Sequence, residues 1–194
     1  MQTSLNNVAK EEKAEDKTSE ITTSVEEKEI EIILPIKEFK ERITKKPFGI
    51  FITPENSPVQ PERFSGFHTG VDVEYDDINS DVPVFAVEDG VVEFSNWVSG
   101  YGGVMAIRYL IDGKRYLAIY GHLNPDKLIA KDESVSKGEQ ISILGKEYSR
   151  ETDGERKHLH FGLYTGNDVN LKGYVATKDQ LSAWVDPEII FSSY

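Results

Sequence analysis

The chain has 194 residues, 38% of them hydrophobic and 10% aromatic, which is enough apolar material for a buried core. Its 22 basic and 34 acidic side chains leave a net charge of −12, so nothing balances the phosphates of a nucleic acid or an anionic membrane surface. Cysteine is absent, which excludes disulfides, a thiol nucleophile and thiolate-held zinc or iron–sulfur clusters.

Residues 1–31 carry four lysines against nine acids, and the first aromatic residue is Phe39. Such a segment buries too little apolar surface to offset its ordering entropy, and it reads as an acidic flexible tail. The start, MQTSLNNVAK, lacks the apolar stretch of a signal peptide. The longest apolar runs, such as Val82–Val87, fall far short of the roughly 18 residues of a membrane span. One domain is expected over 32–194, beginning within Ile32–Lys46.

From Phe48 onward the pattern is one of short strands. Ile50–Ile52 ends in the Pro- and Ser-containing loop Thr53–Pro61. Val82–Val87 meets Asp89-Gly90, a two-residue hairpin signal, and resumes as Val91–Trp97. Val104–Ile111 meets Asp112-Gly113 in the same way and returns as Arg115–Leu123. Gln140–Leu144 and His158–Tyr164 are further strands, and Thr177–Val185 reads as one short helix stopped before Pro187. The expected class is all-β, mainly antiparallel, with little helix.

All four histidines fall in short motifs beside a glycine or a turn. In His158-Leu159-His160-Phe161-Gly162-Leu163-Tyr164, alternation sends Leu159, Phe161 and Leu163 to the core, and His158 and His160 together to the other face. His68-Thr69-Gly70-Val71-Asp72 presents an imidazole and a carboxylate four residues apart. Tyr120-Gly121-His122-Leu123 ends a hairpin strand. Three side chains of the set, two His and one Asp, suit a tetrahedral zinc ion with one position open to water. Two histidines then remain for acid–base work. No HExxH helix supplies a glutamate base.

The order of these motifs, with GFHTGVD at 66–72, PVFAVEDGVV at 83–92, GYGG at 100–103 and HLHF at 158–161, resembles the lysostaphin/LytM-type zinc metallopeptidases, which cleave peptide cross-links of bacterial cell walls. The resemblance covers about Gly49 to Tyr164. It implies a β-rich domain whose antiparallel sheet floors a groove, with one Zn²⁺ on His68, Asp72 and His160, and with His122 and His158 as catalytic residues. It also implies peptidoglycan peptides as partners, a monomer, and an extracytoplasmic setting in which residues 1–31 tether the domain after loss of a leader or anchor.

Two departures stand out. The family's Gly/Ser/Thr-rich loop and proline before HLHF are replaced by the charged stretch Lys146–Lys157. The tyrosine that some members carry just before the first ligand is missing, and Pro61–Phe64 fills that stretch, with Arg63 as a substitute positive charge. Asn96, Trp97 and Tyr101 are candidate groove residues. The rival reading is a catalytically silent member that regulates wall amidases. Silent members typically lose zinc ligands, and this chain keeps all three.

Overall fold

The computed structural model describes residues 1, 2 and 33–192, so the expectations for 1–31 lie, past the second residue, outside what is described. The regular secondary structure described in the unit from Glu31 onward is mostly strand. They are β1 (Phe51–Ile52), β2 (Gly66–His68), β3 (Gly70–Glu74), β4 (Pro83–Phe85), β5 (Gly90–Val98), β6 (Gly102–Ile111), β7 (Lys114–Leu123), β8 (Ser134–Val135), β9 (Gln140–Ile143), β10 (His158–Tyr164), β11 (Tyr174–Val175) and β12 (Trp184–Val185). Two short helices, α1 (Lys178–Leu181) and α2 (Pro187–Ser192), complete it together with two single 3-10 turns.

Every strand pairing among the described residues is antiparallel. The largest sheet runs β12-β10-β7-β6-β5-β8, and β3 also pairs with β10. Smaller sheets are β1-β2-β11 and β4-β9. Strand β10 is therefore flanked by β7 on one side and by β3 and then β12 on the other.

Period-two alternation decides which face of β10 is buried in the main core. Leu159, Phe161 and Leu163 pack there with Val71 and Val73 of β3 and with Met105, Ile107 and Tyr120. Phe39 closes that core edge-on against Phe161 and Phe191, with centroids 5.9 and 5.2 Å away. The opposite face of the same strands carries the histidines.

The Asp112-Gly113 hairpin forms as expected. Both residues have positive φ, 48° and 73°, the geometry that matches the twist of two adjacent strands. The Asp89-Gly90 hairpin does not form. Strand β4 pairs with β9, and β5 pairs with β6 and β8, so this dipeptide links two sheets. Gly90 serves close packing instead, since a Cβ there would lie 2.5 Å from the Tyr109 ring. The expected helix over Thr177–Val185 shortens to one turn, capped by the Thr177 hydroxyl on the Gln180 N–H. Trp184 then ladders onto β10 beside Tyr164, and Pro187 opens α2 rather than ending α1.

Candidate metal centre

Three elements bring the motifs together. His68 ends β2 and Asp72 is the third residue of β3, so the chain turns from the small sheet into the large one between them. Thr69 fixes that corner: its hydroxyl donates to Lys172 O at 2.6 Å and its N–H to Gly173 O at 3.0 Å. In the β3–β10 ladder His160 lies directly opposite Asp72 and His158 opposite Glu74, which puts the four side chains on one face.

His122 arrives by a different device. In the β6–β7 ladder Gly103 faces Leu123 and Val104 faces Gly121, so His122 is the extra residue of a bulge. Its φ of 62° is unusual for a residue other than glycine. Bulges re-aim side chains beside active sites, and this one turns His122 toward His158, with ring centroids 4.2 Å apart. Gly121 has room for no side chain, because a Cβ would meet the Tyr101 ring at 2.4 Å.

Nε2 of His68 and Nδ1 of His160 are 3.0 Å apart, and each is 3.2 Å from Oδ1 of Asp72. A tetrahedral zinc with bonds of about 2.0–2.1 Å has ligand atoms about 3.3 Å apart, so the triangle fits the ion closely. All three side chains are at most 4% exposed. The other ring nitrogen of His68 donates to Pro47 O, which leaves Nε2 as a lone pair. Asp72 turns its second oxygen to the Arg156 guanidinium at 2.9 Å. Arg156 also forks onto Glu74 at 2.6 and 2.8 Å. Among the described residues no further ligand joins the triangle, and two imidazoles with one carboxylate are a donor set that suits zinc.

His158 and His122 stand outside the triangle with one ring nitrogen each tied to the backbone. Nδ1 of His158 donates to Arg156 O at 2.9 Å, and its Nε2 lies 3.5 Å from Oδ2 of Asp72. His122 bonds the Thr152 backbone, and its buried Nδ1 has no partner. Burial, more than any other influence, pushes both imidazoles down, His122 to about 3 and His158 well below its usual value. Both are therefore neutral at pH 7 and able to accept a proton. Burial works to raise the Asp72 carboxyl, but the surrounding imidazoles of His158 and His68 and the bonds from His160 and His68 outweigh it and hold Asp72 well below the usual carboxylate range.

These shifts have a consequence for the metal-free chain. The unfolded His122 takes a proton near pH 6.5, whereas the folded one resists down to about 3, so folding stability is complete above 6.5 and falls as the pH drops. Between pH 6.5 and 5 this residue alone costs about 1.5 kcal/mol, and His158 adds a loss of the same sign. Urea unfolding of the zinc-free chain is expected to show lower stability at pH 5 than at pH 7, with a shallower dependence in His122→Phe. Equal stabilities at both pH values would contradict buried neutral histidines.

A cavity of about 300 Å³ opens beside the triangle, and Asp72, His122, His158, His160 and Tyr101 line it. The structure does not place the other groove candidates there. Trp97 donates from its indole N–H to Arg150 O at 2.7 Å, with the Arg150 guanidinium 5.9 Å from its ring, and Asn96 bonds the Trp97 N–H. Arg63 grips Asp153 and Glu155 at 3.2 and 2.9 Å, bridging the loop at 61–64 to the charged stretch 146–157. Both residues brace the 146–157 loop instead of facing the cavity. Sequence reasoning missed Arg156, Lys46 and Tyr174. Arg156 shares the even parity of His158 and His160, a signal that marks it for the same face. Lys46 and Tyr174 lie far from any motif and carry no local signal.

The family model for peptidase family M23 matches residues 66–171, more than half of the chain. No curated protein matches it. Among solved structures, LytU is 25% identical with a TM-score of 0.50, over 78% of this chain and 85% of LytU. A chain of the SpoIIQ–SpoIIIAH pore-forming complex aligns over 82% of this chain and 89% of its own with a TM-score of 0.51; at 16% identity that likeness is of fold alone. Csd3 of Helicobacter pylori aligns over 84% of this chain at 22% identity and a TM-score of 0.47, and this chain spans 38% of Csd3.

Proposed function

Because the chain belongs to peptidase family M23, we propose that it is a zinc-dependent endopeptidase cleaving stem-peptide or cross-link bonds of bacterial peptidoglycan. One observation carries the reading. Asp72 and His160 of the buried His68–Asp72–His160 triangle line one cavity together with two further neutral imidazoles, so the chain keeps both the metal donors and the proton carriers. Zinc held by the triangle supplies a Lewis acid and brings the pKa of a water down to about 7.

The chain's own residues do the rest. Arg156 orients Asp72 by donating a 2.9 Å hydrogen bond to its second oxygen. His122 and His158 both start neutral, and the one that takes the proton of the attacking water becomes an imidazolium that delivers this same proton to the leaving amine, with the other ring beside it at 4.2 Å between centroids. Phe64, Leu171, Gly100 and Gly173 shape the walls against which a peptide lies. No helix among the described residues is long and apolar enough to cross a membrane. We place the domain outside the cytoplasmic membrane, acting as a monomer on wall peptides, with residues 1–31 as its tether.

Mass spectrometry of muropeptides after digestion of purified sacculi tests this. New cleaved stem peptides or opened cross-links are expected, and a zinc chelator is expected to prevent them. A chain that cuts no wall preparation yet activates an amidase would be a regulator instead.

A further inference from the structure

We propose that Arg63 is a specificity-determining residue: clasped to Asp153 and Glu155, it closes the metal-site cavity off from a second hollow and so limits the length of peptide that the site takes. The inference rests on the hydrolytic reading above and deepens it. The second hollow, about 220 Å³, has Val59, Pro61, Arg63 and Tyr148 on one side and residues 153–156 on the other. Glu155 and Arg156 line both hollows, so these two residues form the wall between them.

The two halves of that wall are held differently. Arg156 is buried and forked onto Asp72 and Glu74, which fixes it from the core side. Glu155 is held from outside. Its Oε1 accepts from Nη2 and Nε of Arg63 at 2.9 and 3.3 Å. Nη1 of Arg63 donates to Oδ2 of Asp153 at 3.2 Å, and Nη2 also donates to Asp153 O at 3.1 Å. The Arg63 side chain is 44% exposed, so the clasp is the part of the wall that water and salt reach. Ion pairs of this kind are weak and are screened by salt, so the contacts of a bound chain can compete with them.

Opening the clasp leaves the surrounding loops in place. The 146–157 stretch carries its own backbone bonds, from the Tyr148 N–H to Glu155 O and from the Gly154 N–H to Ser149 O, both 2.8 Å. Asp153 stays pinned to the opposite rim by the Gly100 N–H at 2.7 Å. Only the side chains of Arg63 and Glu155 have to swing aside, and the hollows of about 300 and 220 Å³ then join into one longer groove. The second hollow suits a further peptide residue. Val59 and Pro61 give it an apolar wall, and the Tyr148 ring stands 74% exposed at its edge. With the clasp shut, a peptide arm running toward Glu155 stops at the wall, and the site selects short segments.

The test uses the zinc-loaded chain and peptide hydroxamates, which grip zinc through two oxygens and report binding without hydrolysis. Two series carry arms of increasing numbers of alanines, one series on each side of the hydroxamate, and are titrated by calorimetry. In wild type, affinity is expected to level off along one of the two arms. In Arg63→Gln, the longest probe of that series is expected to gain about tenfold over its wild-type affinity relative to the shortest. Arg63→Lys, which keeps the charge, is expected to level off as wild type does, and Glu155→Ala, which opens the clasp from its other side, to match Arg63→Gln. Zinc content and melting temperature on the same samples are expected to stay close to wild type. The same length profile in wild type and both opened variants overturns the proposal and leaves the peptidase reading standing. Failure of even the shortest probes to bind any of these chains overturns the zinc-site reading and the proposal with it. A length limit that Arg63→Gln relieves, in a chain that cuts no wall peptide, overturns the hydrolytic reading and leaves the clasp in place.

Discussion

Replacing His160 by alanine is expected to strip the purified chain of its zinc. His160 supplies one corner of the donor triangle, 3.0 Å from His68 and 3.2 Å from Asp72. Losing an outer hydrogen-bond partner of a metal ligand already costs about 10–100-fold in affinity, and losing the ligand itself costs more. Zinc that binds the folded chain alone stabilises it by about 4 kcal/mol at a thousand times its dissociation constant. The wild type should therefore melt at a higher temperature when zinc is added, and His160→Ala should not. Metal analysis after dialysis, read beside that melting shift, checks both halves. Stoichiometric zinc in the mutant would sink the ligand assignment.

His158→Ala should act in the opposite pattern, keeping zinc and losing catalysis. His158 lies outside the triangle, with Nδ1 committed to the Arg156 carbonyl and Nε2 on the cavity side. Its removal takes away a proton carrier and no metal ligand. A positioned acid–base group is worth about two to four orders of magnitude in rate, and the loss should fall in that range. The removed ring packs against His122 at 4.2 Å, so a modest drop in melting temperature is expected as well. Initial rates on a defined wall peptide, with zinc per chain measured on the same sample, separate the two effects. Wild-type rates in this mutant would remove His158 from the mechanism.

The two substitutions together distinguish holding the ion from moving protons, a division already visible in the geometry. The triangle donors approach one another within 3.2 Å, whereas beside it Nδ1 of His122 has no partner and Nε2 of His158 lies 3.5 Å from Oδ2 of Asp72.

Much of this site was legible in the sequence because its pieces are local. Period-two alternation placed Leu159, Phe161 and Leu163 in the core and set His158 and His160 on the other face, and β10 spans the residues that the pattern marked. The turn at Asp112-Gly113 was legible for the same reason: two adjacent residues need positive φ, and their types suit it. At Asp89-Gly90 the same letters misled, because a glycine also serves where a neighbour leaves no room for Cβ, and only the Tyr109 ring reveals that need. What the tertiary structure alone decided depends on long-range pairing. The β4–β9 ladder, the bulge that turns His122 inward, and the meeting of Lys46, Glu62 and Tyr174 across the chain leave no periodicity in any short window. By itself the sequence determined which residue types could bind a metal and carry protons. The packing of β2, β3, β7, β10 and β11 decided which of their nitrogens and oxygens face one cavity, because contacts between distant segments exist only once the sheets have closed on their core.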